Sequence, residues 1–352
     1  MQFIHNSWYV AGWSKEFTRE LSKATILGEN IVFYRTEAGT VTALEDRCPH
    51  KLLPLSEGRL IGDDLQCGYH GVTFGCDGKC VRVPGQDFVP KSAQVRRYPT
   101  FERHNIVWVW MGAEELANTD QVFELAEFSS PDYAAHQGNP LHYQANYLNV
   151  ADNLCDPAHV SFVHPTTLGN AEMEDLPIDS EMQSENVVVT SRWTRDAPPV
   201  GVFQALVDFG VEFSGNVDRW QEFEYVAPSI VLQWSGALEM GRGAQENRDQ
   251  EGFHLRLLHA ATPETETTFH YFWSSSNGYR QDDPQATEDM YNEIYPTFIE
   301  DQIIMGEQQD RINLDPDRGL VAIHADGALA LARIAVDKLI KKERAQISEA
   351  AE

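Results

Sequence analysis

From Trp8 to about Met111, short apolar runs alternate with turn residues, a pattern of small strands. Ile31-Val32-Phe33-Tyr34-Arg35 and Val41-Thr42-Ala43-Leu44 flank Thr36-Glu37-Ala38-Gly39-Thr40 as a hairpin. Val72-Thr73-Phe74 and Lys79-Cys80-Val81-Arg82-Val83 repeat it across the Gly75-Cys76-Asp77-Gly78 turn, and Asn105 to Trp110 closes the run with a bulky strand. Between about Gly112 and Gly138 the chain turns polar, with Ala, Glu, Ser and Pro, and reads as a connector. Beyond it the two periods mix. A helical segment is expected from Asn149 to about Val160. Strands are expected over Val187–Trp193, Ser229–Trp234, Phe253–His259 and Thr267–Trp273, which together suggest one antiparallel sheet. A long helix from Glu288 to Arg311, kinked or restarted at Pro296, and another from Leu329 to Lys342 follow, with Ala345 to Glu352 as a frayed tail. The predicted class is α+β: an all-β domain (1–115), a connector (116–138) and an α+β domain (139–352) with an antiparallel sheet flanked by helices.

Length and apolar content suit a chain of more than one domain with a sizeable core. The formal net charge of −27 opposes nucleic acid and anionic membranes. It also means that an anionic substrate must be captured by local cationic or hydrogen-bonding groups. No eighteen-residue apolar run occurs, and Met1 to Asn6 lacks a basic signal-like start, so a cytoplasmic chain without signal or membrane span is expected. Five cysteines, an odd count, describe no disulfide framework.

Two of those cysteines stand in Cys48-Pro49-His50 and, after sixteen intervening residues, Cys67-Gly68-Tyr69-His70. Two thiolates and two imidazoles can hold a [2Fe–2S] cluster of the Rieske kind, with sulfur on one iron and nitrogen on the other. Structural zinc is the rival reading. The ligand order favours the cluster, because each loop contributes one sulfur and one nitrogen and Gly71 follows the last histidine. Cys76, Cys80 and Cys155 remain; the first two could pair in an oxidising compartment but are more simply thiols.

A second set of donors lies in Asp152-Asn153-Leu154-Cys155-Asp156-Pro157-Ala158-His159-Val160-Ser161-Phe162-Val163-His164. Spacing of five puts His159 and His164 about 140° apart on a regular helix, so one ion can take both only if the segment bends, and Pro157 offers the irregularity. Two unrelated histidines are the rival reading. In the later helix the apolar stripe passes through Ile294, Phe298, Ile304 and Met305, and Asp301 lies on or beside it. A carboxylate there is costly unless paired or bound to metal. His159, His164 and Asp301 together match the two-histidine, one-carboxylate set of non-haem Fe(II) oxygenases. Glu300 is the rival ligand, turned about 100° away. Asp156, three residues before His159, is placed to accept that ligand's free N–H, with a helix-start acid as the other reading.

With these motifs and Glu300-Asp301, the chain resembles, from about Asn6 to Lys341, the oxygenase (alpha) component of Rieske non-haem iron aromatic oxygenases. It is most similar to the vanillate O-demethylase, toluenesulfonate methyl-monooxygenase and dicamba monooxygenase group. Pro84-Gly85-Gln86, His164 to Gly169, Asp218-Arg219-Trp220-Gln221 and Thr262 to Thr267 also match that group, whereas Cys155-Asp156-Pro157 departs from it. High-potential Rieske proteins join their cluster loops by a disulfide; here Leu53 and Tyr69 stand at those positions, which points to a lower-potential cytosolic centre. The resemblance implies a helix-grip-like catalytic domain and a homotrimer in which Asp156 bridges His70 and His159 across the subunit interface as the electron path. It implies O₂ as co-substrate, Fe(II) and a [2Fe–2S] cluster as cofactors, and electrons from NAD(P)H through a separate reductase with flavin and [2Fe–2S]. No G-x-G-x-x-G unit is visible. The implied oxidoreductase is a monooxygenase hydroxylating a methyl or methoxy group of a small aromatic acid, above all O-demethylation with formaldehyde release. Ring cis-dihydroxylation, and an electron-transfer protein without catalytic iron, are the alternatives; domain two and Asp301 count against the latter. His259 is the candidate for the substrate's anionic group, against a satisfied core histidine. Trp273 and Phe162 are candidate apolar walls.

Overall fold

Eleven short strands build the N-terminal part of the computed structural model, which describes residues 3–205, 212–248, 251–278 and 280–350. They are β1 (Trp8–Trp13), β2 (Ser22–Ile26), β3 (Glu29–Arg35), β4 (Val41–Glu45), β5 (Arg59–Ile61), β6 (Asp64–Gln66), β7 (Thr73–Phe74), β8 (Cys80–Arg82), β9 (Arg97–Tyr98), β10 (Thr100–Arg103) and β11 (Ile106–Trp110). They form three antiparallel sheets, in the orders β1-β11-β10, β2-β3-β4-β9 and β5-β6-β7-β8. Alternation along β3 explains its two cores. Ile31 and Phe33 pack with Tyr9, Val107 and Val109, while Val32 and Tyr34 face the other way onto Leu44, Leu65 and Phe74. Cys48 and Cys67 belong to that second cluster, so both thiols point into the unit. By contacts within the chain, Met1–Glu124 with Thr262–Glu266 is one compact unit and Leu125–Ala261 with Thr267–Glu352 another.

The second unit is organised on an eight-stranded sheet in the order β12-β19-β18-β17-β16-β15-β14, with β13 also paired to β19. Its strands are β12 (Ala134–Gln137), β13 (Leu141–Tyr143), β14 (Asp179–Met182), β15 (Val187–Ala197), β16 (Val217–Val226), β17 (Ile230–Glu239), β18 (Phe253–Thr265) and β19 (Thr268–Asn277). The helices are α1 (Ala126–Ser129), α2 (Asn149–Leu154), α3 (Val160–Val163), α4 (Gly201–Ala205), α5 (Ala244–Asn247), α6 (Pro284–Leu314) and α7 (Gly327–Ala350).

Three expectations are corrected. The sheet is larger than four strands, and the central omission is β16, whose inward positions Arg219 and Gln221 are polar and so hide the alternation. The long helix is not restarted and extends beyond the expected bounds at both ends: Asp283 caps it by accepting from the Gln285 N–H at 3.1 Å, Pro284 occupies the first turn, and Pro296 is carried inside. Met290, Ile294, Phe298 and Met305 stay buried on both sides of that proline, so packing outweighs the one lost backbone bond. The last helix runs to Ala350 through most of the expected tail, where Ala345 and Gln346 are strong helix formers; Ala351 and Glu352 lie outside the described residues.

Candidate metal centres and catalytic cavity

The two Cys/His loops have the same backbone construction. Cys48 donates its N–H to the Leu53 carbonyl at 2.9 Å and accepts from the Leu52 N–H at 2.8 Å; Cys67 donates to Val72 at 2.8 Å and accepts from Gly71 at 3.1 Å. The fourth residue after each cysteine is left-handed, Leu52 at φ 62° and Gly71 at φ 72°. Glycine takes that conformation freely, and a side chain at 71 would also meet Pro84 at 3.0 Å. Buried Asp46 fastens the first loop by accepting from the Ser56 N–H at 2.6 Å and its hydroxyl at 2.7 Å. Cys48 and Cys67 are buried against each other; burial first, and then Cys67, raises the Cys48 thiol above its ordinary value. His50 and His70 are exposed, their ring centres 4.5 Å apart. Sulfur inside and nitrogen outside fits a [2Fe–2S] cluster with one sulfur-held and one imidazole-held iron.

In the second unit the expected single helix from Asn149 is broken. α2 ends at Leu154, and Asp156 starts a 3-10 turn (Pro157–His159) by accepting from the Ala158 N–H at 3.0 Å. Asp156 and Pro157 therefore supply the bend that two histidines five residues apart require. His159 ends the turn, and His164 follows α3, with ring centres 5.3 Å apart. Asp301 comes from the buried stripe of α6. Its Oδ1 lies 3.2 Å from His164 Nε2 and 3.8 Å from His159 Nε2, and the three donor atoms fall within 4.8 Å of one another.

The remaining bonds hold those donors in place. His159 Nδ1 donates to the Asp156 backbone carbonyl at 2.5 Å, leaving Nε2 to face Asp301. That corrects the expected bond to the Asp156 carboxylate, which is occupied as the cap. His164 Nδ1 donates to Glu300 Oε2 at 2.6 Å, and Asn153 Nδ2 donates to Asp301 Oδ1 at 2.9 Å. Burial lowers the His159 value although Asp301 opposes it. Burial also works against charge on His164, but Asp301 and Glu300 outweigh it and raise its value. A buried carboxylate beside one buried and one half-buried imidazole, each with its Nδ1 already bonded, fits the donor set of a two-histidine, one-carboxylate Fe(II) site. Sequence alone marks Glu300 only as a rival ligand and gives no sign of Asn153. The rotation that carries Glu300 off the stripe is what lets it reach the far nitrogen of His164.

These donors open on a cavity with apolar walls that include Leu154, Phe223, Leu255, Leu257 and Phe298, and with Gln233 and Ser235 on its sheet side. His259 is wholly buried, its Nδ1 2.6 Å from the Tyr271 hydroxyl and its Nε2 3.0 Å from Gln233 Oε1. Burial pulls it down to about 3, so it is a neutral core histidine that orients Gln233, itself part of the lining. Trp273 is a core residue stacked on Tyr291 at 4.0 Å, and Phe162 is 68% exposed, which removes it as a wall.

Two iron-type donor sets, one sulfur-and-imidazole and one imidazole-and-carboxylate, define a Rieske-type oxygenase component. A model of the Rieske [2Fe-2S] domain matches residues 7–99, and one of the vanillate O-demethylase oxygenase C-terminal domain matches residues 143–342. The chain belongs to that vanillate O-demethylase oxygenase family; it is an oxidoreductase whose cofactors are a [2Fe–2S] cluster and Fe(II). It is 36% identical to the toluene-4-sulfonate monooxygenase system iron-sulfur subunit of Comamonas testosteroni, over 97% of this chain and 98% of the relative. It is 32% identical to the vanillate O-demethylase oxygenase subunit of a Pseudomonas strain, over 97% and 96%. The crystal structure of dicamba monooxygenase with non-haem iron and dicamba matches with a TM-score of 0.82 and 26% identity, over 98% of this chain and all of that one. Among the described residues no helix is long and apolar enough to cross a membrane.

Proposed function

We propose that this chain is the terminal oxygenase of a multicomponent monooxygenase that hydroxylates a methyl or methoxy group of a small aromatic acid, O-demethylation with formaldehyde release being the leading case. The observation that carries it is the His159, His164 and Asp301 set opening on a largely apolar cavity in a family whose relatives are demethylase and methyl-monooxygenase components. When bound, Fe(II) supplies the activation of O₂ and the cluster supplies electrons one at a time. His159, His164 and Asp301 hold the ion, the Asp156 carbonyl and Glu300 keep both imidazoles presenting Nε2, and the apolar walls exclude water and seat the ring. Cys48, Cys67, His50 and His70 hold the cluster. A hydroxylated methoxy carbon is a hemiacetal and collapses to a phenol and formaldehyde; a hydroxylated methyl is a benzylic alcohol. Asp156 bridges His159 and His70 of the partner subunit in a homotrimer, as the path between the two sites, and the reductase is a separate flavin and [2Fe–2S] protein using NAD(P)H. The three cysteines outside the cluster, Cys76, Cys80 and Cys155, form no disulfide, in keeping with a cytoplasmic setting.

The test is NADH-coupled O₂ uptake with a surrogate reductase on methoxy- and methyl-substituted benzoates and benzenesulfonates. Formaldehyde or benzylic alcohol in step with substrate loss is expected; a ring cis-diol contradicts the reading.

A further inference from the structure

The cavity carries a cationic feature that the metal centre does not use. Arg219, Gln221 and Phe223 alternate onto one face of β16, and all three line the space shared with His159, His164 and Asp301. Arg219 is only 4% exposed. Its Nη1 donates to the Leu168 carbonyl at 2.6 Å and lies 3.3 Å from Met173 Sδ, while its Nε is buried without a partner. On β15, directly opposite Gln221, stands Arg192, 2% exposed. It donates to Gln221 Oε1 at 3.0 Å and to the Met173 carbonyl at 3.4 Å, and its Nε is again unpartnered.

Other arginines of this sheet region are neutralised: Arg195 pairs with Asp218 at 3.5 Å and Arg248 with Glu222 at 2.6 Å. Among the described residues neither inward arginine has a carboxylate within ion-pair distance. Burial pulls Arg219 down to about 9, and Arg192 adds to the shift. Two buried guanidiniums, both against Met173 and only one bonded to Gln221, are costly by themselves and become favourable once an anion arrives. With a net charge of −27, the chain draws no anion by its overall field, so capture must be local. Leu255 and Leu257, further along the same sheet face, and Phe298 from α6 suit an aromatic ring.

We propose that Arg219, with Arg192 beside it across Met173, is the anchor for the carboxylate or sulfonate of the aromatic substrate and thereby sets specificity for aromatic acids. This rests on the aromatic-acid reading above and assigns the anion to the β16 face rather than to His259. A guanidinium fork matches the two oxygens of either group.

Calorimetric binding to the metal-loaded protein tests it, with 4-methylbenzoate, 4-methylbenzenesulfonate and neutral 4-methylbenzamide as probes. Wild type should prefer an anion to the amide, and the tighter anion identifies the natural head group. Arg219→Met should weaken both anions by about 30-fold or more, the loss typical of removing one side of a buried charged pair, with the amide little changed. Arg219→Lys should restore part of that loss. Gln221→Glu, which supplies an internal carboxylate of nearly the same shape, should also lose anion affinity and guards against a folding failure of the methionine variant. Equal wild-type affinity for amide and anion, or unaltered anion binding in Arg219→Met or Gln221→Glu, overturns the anchor. So does parallel loss of amide and anion binding in Arg219→Met. Product analysis on the same probes keeps the two claims apart: benzylic alcohol from the probes without anion discrimination overturns the anchor alone, whereas a cis-diol overturns the methyl-hydroxylation reading.

Discussion

The two donor sets are built in opposite ways. In the first unit four donors come from two turns of the same five-residue construction, with the thiols buried in a core cluster and the imidazoles exposed. In the second, three donors come from a broken helical segment and from the middle of α6, and their groups are largely buried. An exposed imidazole edge suits electron exchange with another surface. A buried, apolar-walled set suits chemistry from which water must be kept. The contrast also separates what each half asks of its surroundings: the turns are largely self-supporting, whereas the triad depends on Asp156, Asn153 and Glu300 for its geometry.

The largest effect that sharpens this contrast is expected at Asp156. Asn is as good a cap as Asp, so Asp156→Asn keeps the 3-10 turn and the His159 orientation while removing the charge. Iron and sulfide content should stay at wild-type levels while steady-state turnover nearly stops and reoxidation of the reduced cluster slows in stopped flow. Unchanged turnover would reduce Asp156 to a cap. A smaller effect is expected at Glu300. Glu300→Ala should weaken iron retention against a chelator, or activity, by about 10- to 100-fold, as for other partners of metal-bound histidines, and Glu300→Gln should recover much of it. The cluster's spectrum should not move in either variant; if it does, the two sites are not independent.

The same contrast explains what was legible in the sequence. Cys48, His50, Cys67 and His70 are close in sequence because each turn supplies its own pair, so spacing alone carried the cluster. His159 and His164 were visible as candidates, but their convergence needs the bend at Asp156 and Pro157, and Asp301 emerged only as a carboxylate on an apolar stripe. Asn153, Glu300 and the orienting role of the Asp156 carbonyl depend on tertiary placement and left no periodic signal. β16 was overlooked for a chemical reason: Arg219 and Gln221 break its inward apolar pattern where the cavity needs polar groups. His259 and Phe162 show the reverse: side-chain type suggests a place in the cavity wall, whereas His259 lies in the core bonded to Tyr271 and Gln233 and Phe162 is exposed.

The independence of the two sites is tested most directly by the metal inventory of Asp301→Ala beside Cys67→Ser. One cluster and one ion make about three irons per chain in the wild type. Asp301→Ala should fall toward two while keeping the sulfide and the electron paramagnetic resonance signal of the reduced cluster. Cys67→Ser should lose sulfide and signal but retain the mononuclear iron. Loss of the cluster signal in Asp301→Ala with the third iron retained would contradict the assignment of Asp301 and the account of two separate centres.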